Sequence, residues 1–152
     1  LLNSSSRVSP LILVVEDDPV IADMLRELLA GAGYRVQWAP DVISALSVLE
    51  RLPINLITLD IELGTYSGRG LLAFLKADPR TSHLPVIVVS SCQVGPDVRR
   101  LAEHVLHKPF NIGPLLHLIR TSLGGKPARL DAWPDRAPAE SLELEMAPEL
   151  LD

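Results

Sequence analysis

At 152 residues the chain has room for one core of ordinary domain size and little for a second. Its 47% hydrophobic and 22% charged composition is that of an aliphatic-rich globular protein, no apolar run reaches the roughly 18 residues of a membrane span, and the lone Cys92 excludes an internal disulfide. The net charge of −5 is uneven: residues 126–152 carry −4 of it, which leaves a near-neutral body and no electrostatic reason to expect nucleic-acid binding.

The Ser-rich residues 1–10 lack the basic start and apolar stretch of a signal peptide and read as an N-terminal extension. Leu11 to Val15 is continuously aliphatic, as expected of a strand buried on both faces. Asp18-Pro19 then supplies a helix cap and a first-turn proline. Val20, Ile21, Met24, Leu25, Leu28 and Leu29 form the stripe of a helix that Gly31 and Gly33 stop. Arg35 to Ala39 reads as a second strand. Asp41 caps a second helix through Ile43, Ala45, Leu46, Val48 and Leu49, ending near Pro53. Leu56 to Asp60 is a third buried strand and Gly68 to Ala77 a third helix. Residues 85–90 form the clearest strand, 105–107 a short fifth one, and Ile112 to Ser122 a last helix after Asn111. From Gly124 onward Gly-Gly, four prolines and scattered acids predict a flexible acidic tail over 124–152.

Strands alternating with helices imply an α/β fold, a doubly wound parallel sheet of five strands with helices on both faces. Such sheets place function at the carboxyl ends of their strands. Here those ends carry Glu16-Asp17-Asp18, Asp60, Ser90 and then Lys108-Pro109. Carboxylates brought together on one rim repel, which raises a pKa or calls for a cation. Mg²⁺ suits an all-oxygen site that bridges to phosphate. Asp60 is placed as a nucleophile that takes a phosphoryl group as an acyl phosphate, with Lys108 as a second positive centre and the Ser90 hydroxyl donating to a remaining oxygen.

An apolar strand followed by Glu-Asp-Asp-Pro, a strand-end Asp, a strand-end Ser and Lys-Pro-Phe resembles the receiver domain of two-component response regulators, the CheY-like superfamily, over residues 11–123. The resemblance implies the flavodoxin-like strand order 2-1-3-4-5. It also implies a metal site of Glu16, Asp17, Asp60 and the Glu62 backbone carbonyl, Ser90 as the switch hydroxyl, and a cis bond between Lys108 and Pro109. Several positions depart from the family pattern. Gly64 stands where a proline is usual, and Ser91 where a smaller residue follows the switch. The segment before Lys108 is short, leaving only about 97–104 for a fourth helix, and Val105 replaces the usual aromatic. These changes argue against a Ser-to-aromatic output and against dimerisation through the fourth-helix face, so a monomer or an atypical dimer is expected. Glu62 and Cys92 flank the path of an attacking water.

Other residues read more plainly. Asp18 is a cap before it is a ligand, Cys92 a loop residue, and Trp38 and Phe110 packing residues. The four histidines are too dispersed for a metal site. Trp133, with Leu142, Leu144, Met146, Leu150 and Leu151, sits in a tail read as disordered. The function expected from the resemblance is a cytoplasmic, single-domain regulator. It would accept phosphate from a sensor histidine kinase or phosphotransfer protein and act on a downstream protein by protein–protein contacts. Neither nucleic acid nor membrane is expected as a partner, and no enzymatic activity beyond self-phosphorylation and slow autodephosphorylation. Two alternatives stand beside it: a receiver-like binding module that needs no phosphate, and an aspartyl phosphohydrolase, against which the lack of a cap segment and the third-strand position of Asp60-Ile61-Glu62 both count.

Overall fold

A computed structural model describes residues 8–64 and 67–124; most of the N-terminal extension and nearly all of the acidic tail, Trp133 included, lie outside the described residues. Ten elements alternate along the chain: β1 Leu11–Val15, α1 Pro19–Gly31, β2 Arg35–Ala39, α2 Val42–Arg51, β3 Leu56–Asp60, α3 Gly68–Ala77, β4 Val86–Ser90, α4 Pro96–Leu101, β5 His104–His107 and α5 Ile112–Ser122. The five strands form one sheet in the order β2-β1-β3-β4-β5, every pair parallel. The expected strand order is therefore the observed one.

The alternation of side chains along each strand divides the core in two. Leu13, Val15, Ile57, Leu59, Val86 and Val88 face Ala45 and Val48 of α2, Leu71, Leu72 and Leu75 of α3, and Val98 of α4. Ile12, Val14, Leu56, Ile87 and Val89 face Ile21, Leu25 and Leu29 of α1 and Ile112, Leu115, Leu116 and Ile119 of α5. Because β1, β3 and β4 are covered on both sides, they are buried at every position and largely aliphatic, whereas the edge strands β2 and β5 are half-exposed along much of their length.

Capping follows the sequence closely. The Asp18 carboxylate accepts from the Val20 and Ile21 amides, and Asp41 accepts from that of Ser44. Gly33, at φ +96°, reverses the chain after α1. Asn111 precedes α5 without a side-chain cap bond.

Three boundaries differ from expectation, each for a backbone reason. Pro85 offers its carbonyl to the Ile57 amide but has no N–H of its own, so β4 begins at Val86. The fourth helix is shorter than 97–104 and shifted, Pro96–Leu101, because the Glu103 amide already bonds to the Val86 carbonyl and the chain turns to join the sheet. For the same reason β5 starts at His104, opposite Ile87. Among the described residues no helix is long and apolar enough to cross a membrane.

Candidate functional site at the carboxyl ends of the strands

The parallel sheet delivers its chemistry to one rim. β1 runs into Glu16, Asp17 and Asp18, β3 ends on Asp60, and β4 ends on Ser90. The chain beyond β5 supplies Lys108, whose amide bonds to the Ser90 carbonyl and whose peptide bond to Pro109 is cis, as the resemblance implied. Register sets the spacing: Asp60 lies opposite Val89, so Ser90 stands one residue further along the neighbouring strand.

Lys108 is the cationic centre. Its Nζ donates to Glu16 Oε1 at 3.2 Å and to Asp60 Oδ2 at 3.1 Å. All three side chains are at least 94% buried, so each charge depends on the others. Burial, together with the Asp60 charge, pushes the Glu16 carboxyl up to about 8 despite the lysine and the Asp18 amide on its Oε2. Burial also raises the Asp60 carboxyl, against the pull of Lys108 and of the Glu62 amide, which donates to Oδ1 at 2.9 Å. Burial disfavours the charged lysine, but the two carboxylates outweigh it and hold Lys108 above its ordinary range.

Two buried acids and one lysine leave an excess of negative charge, and Asp17 adds to it from the exposed side. Carboxylate oxygens of Glu16, Asp17 and Asp60 all lie within 4.8 Å of one another. An all-oxygen donor set with one face open to solvent fits a hard divalent cation that keeps part of its water shell. These are three of the four groups expected to hold Mg²⁺; the fourth is the Glu62 carbonyl.

Ser90 is fully buried, and its hydroxyl is turned to Glu62 Oε2 at 2.9 Å and to the Cys92 carbonyl at 2.7 Å, while accepting from the Cys92 amide at 3.0 Å. The second Glu62 oxygen accepts from the Ser91 amide at 3.1 Å and the Ser91 hydroxyl at 3.2 Å. Partial burial opposes ionisation of Glu62, but these donors outweigh it and hold its carboxyl below the usual range. Glu62 thus grips the β4 end, a role that its position two residues after Asp60 does not announce. Cys92 is exposed in that loop.

Two further residues support the rim. Trp38 is not only a packing residue: its indole N–H donates to the Glu16 carbonyl at 2.7 Å and fixes the acidic turn from β2. Gly68 opens α3 directly against the turn that follows Asp60, where a Cβ would lie 2.6 Å from the Asp60 carbonyl oxygen and 2.8 Å from the Ile61 Cα. Alternating apolar residues along a strand could not announce the first. A glycine following a capping Ser67 reads as an ordinary helix start and conceals the second. Phe110 packs against the α1–α5 side of the sheet, as expected.

The sequence profile of the response regulator receiver domain matches residues 12–120. The DNA-binding dual master transcriptional regulator RpaA of Synechocystis is 33% identical over 118 residues, covering 75% of this chain and 49% of the regulator, so the chain spans about half the length of that relative. The polar-differentiation response regulator DivK of Brucella anthropi is 27% identical over 117 residues, 74% of this chain and 95% of DivK. Among solved structures, the response regulator protein TrrA of Thermotoga maritima in complex with Mg(2+)-BeF matches with a TM-score of 0.69 at 25% identity, over 75% of this chain and 99% of TrrA. By sequence, strand order and acidic rim together, the chain belongs to the response regulator receiver domain family, whose members are phosphoacceptors and not classical enzymes.

Proposed function

We propose that this receiver domain accepts a phosphoryl group on Asp60 from a histidine kinase or phosphotransfer protein and passes the signal on through protein–protein contacts. The observation that carries the reading is the placement of Asp60 at the end of β3, with Lys108 Nζ 3.1 Å from its Oδ2 and the carboxylates of Glu16 and Asp17 beside it. In the transfer, an Asp60 oxygen forms a bond to phosphorus while the phosphorus–nitrogen bond of the donor phosphohistidine breaks. The imidazole leaves with that electron pair. Glu16, Asp17, Asp60 and the Glu62 carbonyl would hold a Mg²⁺ ion there, which when bound would supply positive charge for the phosphoryl oxygens. Lys108 holds a second oxygen from the side of β5, and the Ser90 hydroxyl, at the end of the neighbouring β4, serves a third.

Support for a phosphate-independent binding module comes from Val105, which leaves no aromatic to follow Ser90, and from the hold of Glu62 on Ser90. Incubation with Mg²⁺ and phosphoramidate, followed by intact-protein mass measurement, separates the two readings. The receiver reading expects the mass gain of one phosphoryl group, absent in Asp60→Asn. A wild-type protein left unmodified by phosphoramidate and by phosphorylated histidine kinase alike overturns it. The six-residue α4 gives little surface for pairing through that helix, so a monomer, or a dimer built on another face, is expected in the cytoplasm where such kinases transfer.

A further inference from the structure

Glu62 is bonded as though it were the anion the site is waiting for. Its backbone amide is tied to Asp60 Oδ1 at 2.9 Å, so the root of its side chain is fixed beside the acceptor. Its carboxylate then gathers three donors at the end of β4, the Ser90 hydroxyl, the Ser91 amide and the Ser91 hydroxyl, at 2.9, 3.1 and 3.2 Å. Two hydroxyls and a backbone N–H converging on one group make an anion cradle. Ser90 cannot serve that cradle and a phosphoryl oxygen at once. A serine hydroxyl has a single proton, already divided between Glu62 and the Cys92 carbonyl. A phosphoryl group on Asp60 would also add negative charge to a site whose Ser90 hydroxyl the Glu62 carboxylate already holds, and like charges sharing a site repel.

We infer that the Glu62 carboxylate is an internal stand-in for the phosphoryl group, holding Ser90 and Ser91 until transfer to Asp60 expels it. This rests on the proposal that Asp60 is the acceptor. Glu62 acts through the two serines and the β4 end, which makes it a positioning residue and not a catalytic one. Its consequences are two. Phosphoryl acceptance is slowed by the need to displace a group already in place. Once displaced, Glu62 and the loop from Ser91 to Gly95 present a different surface, in a protein whose position 105 carries no aromatic to do so.

The test compares wild type, Glu62→Gln and Glu62→Ala, each with Mg²⁺ and phosphoramidate, reading the rate constant of acyl-phosphate formation and the amide spectrum. Glu62 is partly exposed, and Gln keeps its shape, so a folded variant is available even if Ala perturbs the turn. Both variants should accept phosphate faster, Ala by about tenfold, the factor that one charge-assisted hydrogen bond is worth. The Ser91 amide signal should move strongly on phosphorylation of the wild type and far less in Glu62→Ala, a difference that a merely structural role does not produce. Modification of the variants alone, with the wild type inert, supports the stand-in in its strongest form. Equal or slower rates in folded variants overturn it while leaving Asp60 as the acceptor. If none of the three proteins is modified, by phosphoramidate or by phosphorylated histidine kinase, the acceptor reading fails and this inference fails with it.

Discussion

At the scale of single residues, the acidic turn after β1 is held from two sides. Lys108 holds the Glu16 side chain and Trp38 its backbone carbonyl, the latter at 2.7 Å. The Trp38 bond matters because a ligand set made of adjacent residues is only as well aimed as the peptide that carries it. Replacing Trp38 by Phe keeps most of the packing and removes one donor. A neutral hydrogen bond of about 1 kcal/mol corresponds to a loss of roughly fivefold in Mg²⁺ affinity, with the fold intact. Calorimetric titration of the metal into both proteins measures it; unchanged affinity would show that the Glu16 carbonyl is positioned without Trp38. The same indole gives an optical check. The change that Mg²⁺ brings in tryptophan emission should be seen in Trp133→Phe, which retains Trp38 as its sole indole.

At the scale of elements, α3 is set against the turn that follows Asp60, and its approach depends on Gly68. A methyl group there would stand 2.6 Å from the Asp60 carbonyl oxygen and 2.8 Å from the Ile61 Cα, both backbone atoms with no rotamer to escape through. Gly68→Ala must therefore push α3 away from β3 or displace the turn. The expected cost is about 1–3 kcal/mol of stability, as for other overpacked sites, with phosphoryl acceptance slowed more than the stability loss alone explains. Denaturant midpoints and acceptance rates measured together decide it, and a variant that matches wild type in both would mean that α3 has room to move. Why this contact was hidden while α3 itself was not is a matter of range. The stripe Leu71, Leu72 and Leu75 and the strand-end positions of Asp60 and Ser90 are written in local patterns that the core enforces. The contacts of Gly68 with β3, of Trp38 with Glu16 and of Glu62 with Ser90 link different segments, and no local period records them. The α4 boundary lay between these cases, because a helix signal over 97–104 competed with a sheet pairing that begins at Glu103.

At the scale of the whole molecule, the buried trio ties stability, protonation and metal to one another. Without metal, Glu16 keeps its proton up to about pH 8 in the folded chain, while in the unfolded chain it releases it near 4.5. Asp60, also raised, adds to the same trend, and Lys108 stays charged throughout because its own value is raised. Between those two pH values the folded state binds more protons than the unfolded state, so stability must fall as pH rises. The contribution is complete below about 4.5 and lost on passing through about 8. Mg²⁺ reverses the dependence, since it binds the ionised carboxylates and must displace the proton: its stabilising effect should grow with pH across the same window, with proton release on binding. Thermal midpoints measured from pH 5 to pH 9 in a chelator should therefore decline toward the alkaline end, and the gap between chelator and Mg²⁺ curves should widen. Glu16→Gln, which cannot ionise, should flatten most of the decline and weaken metal binding at every pH. A wild-type curve that instead rises through the neutral range would mean that Glu16 is ionised in the folded protein, with Lys108 alone sufficient to hold both carboxylates charged.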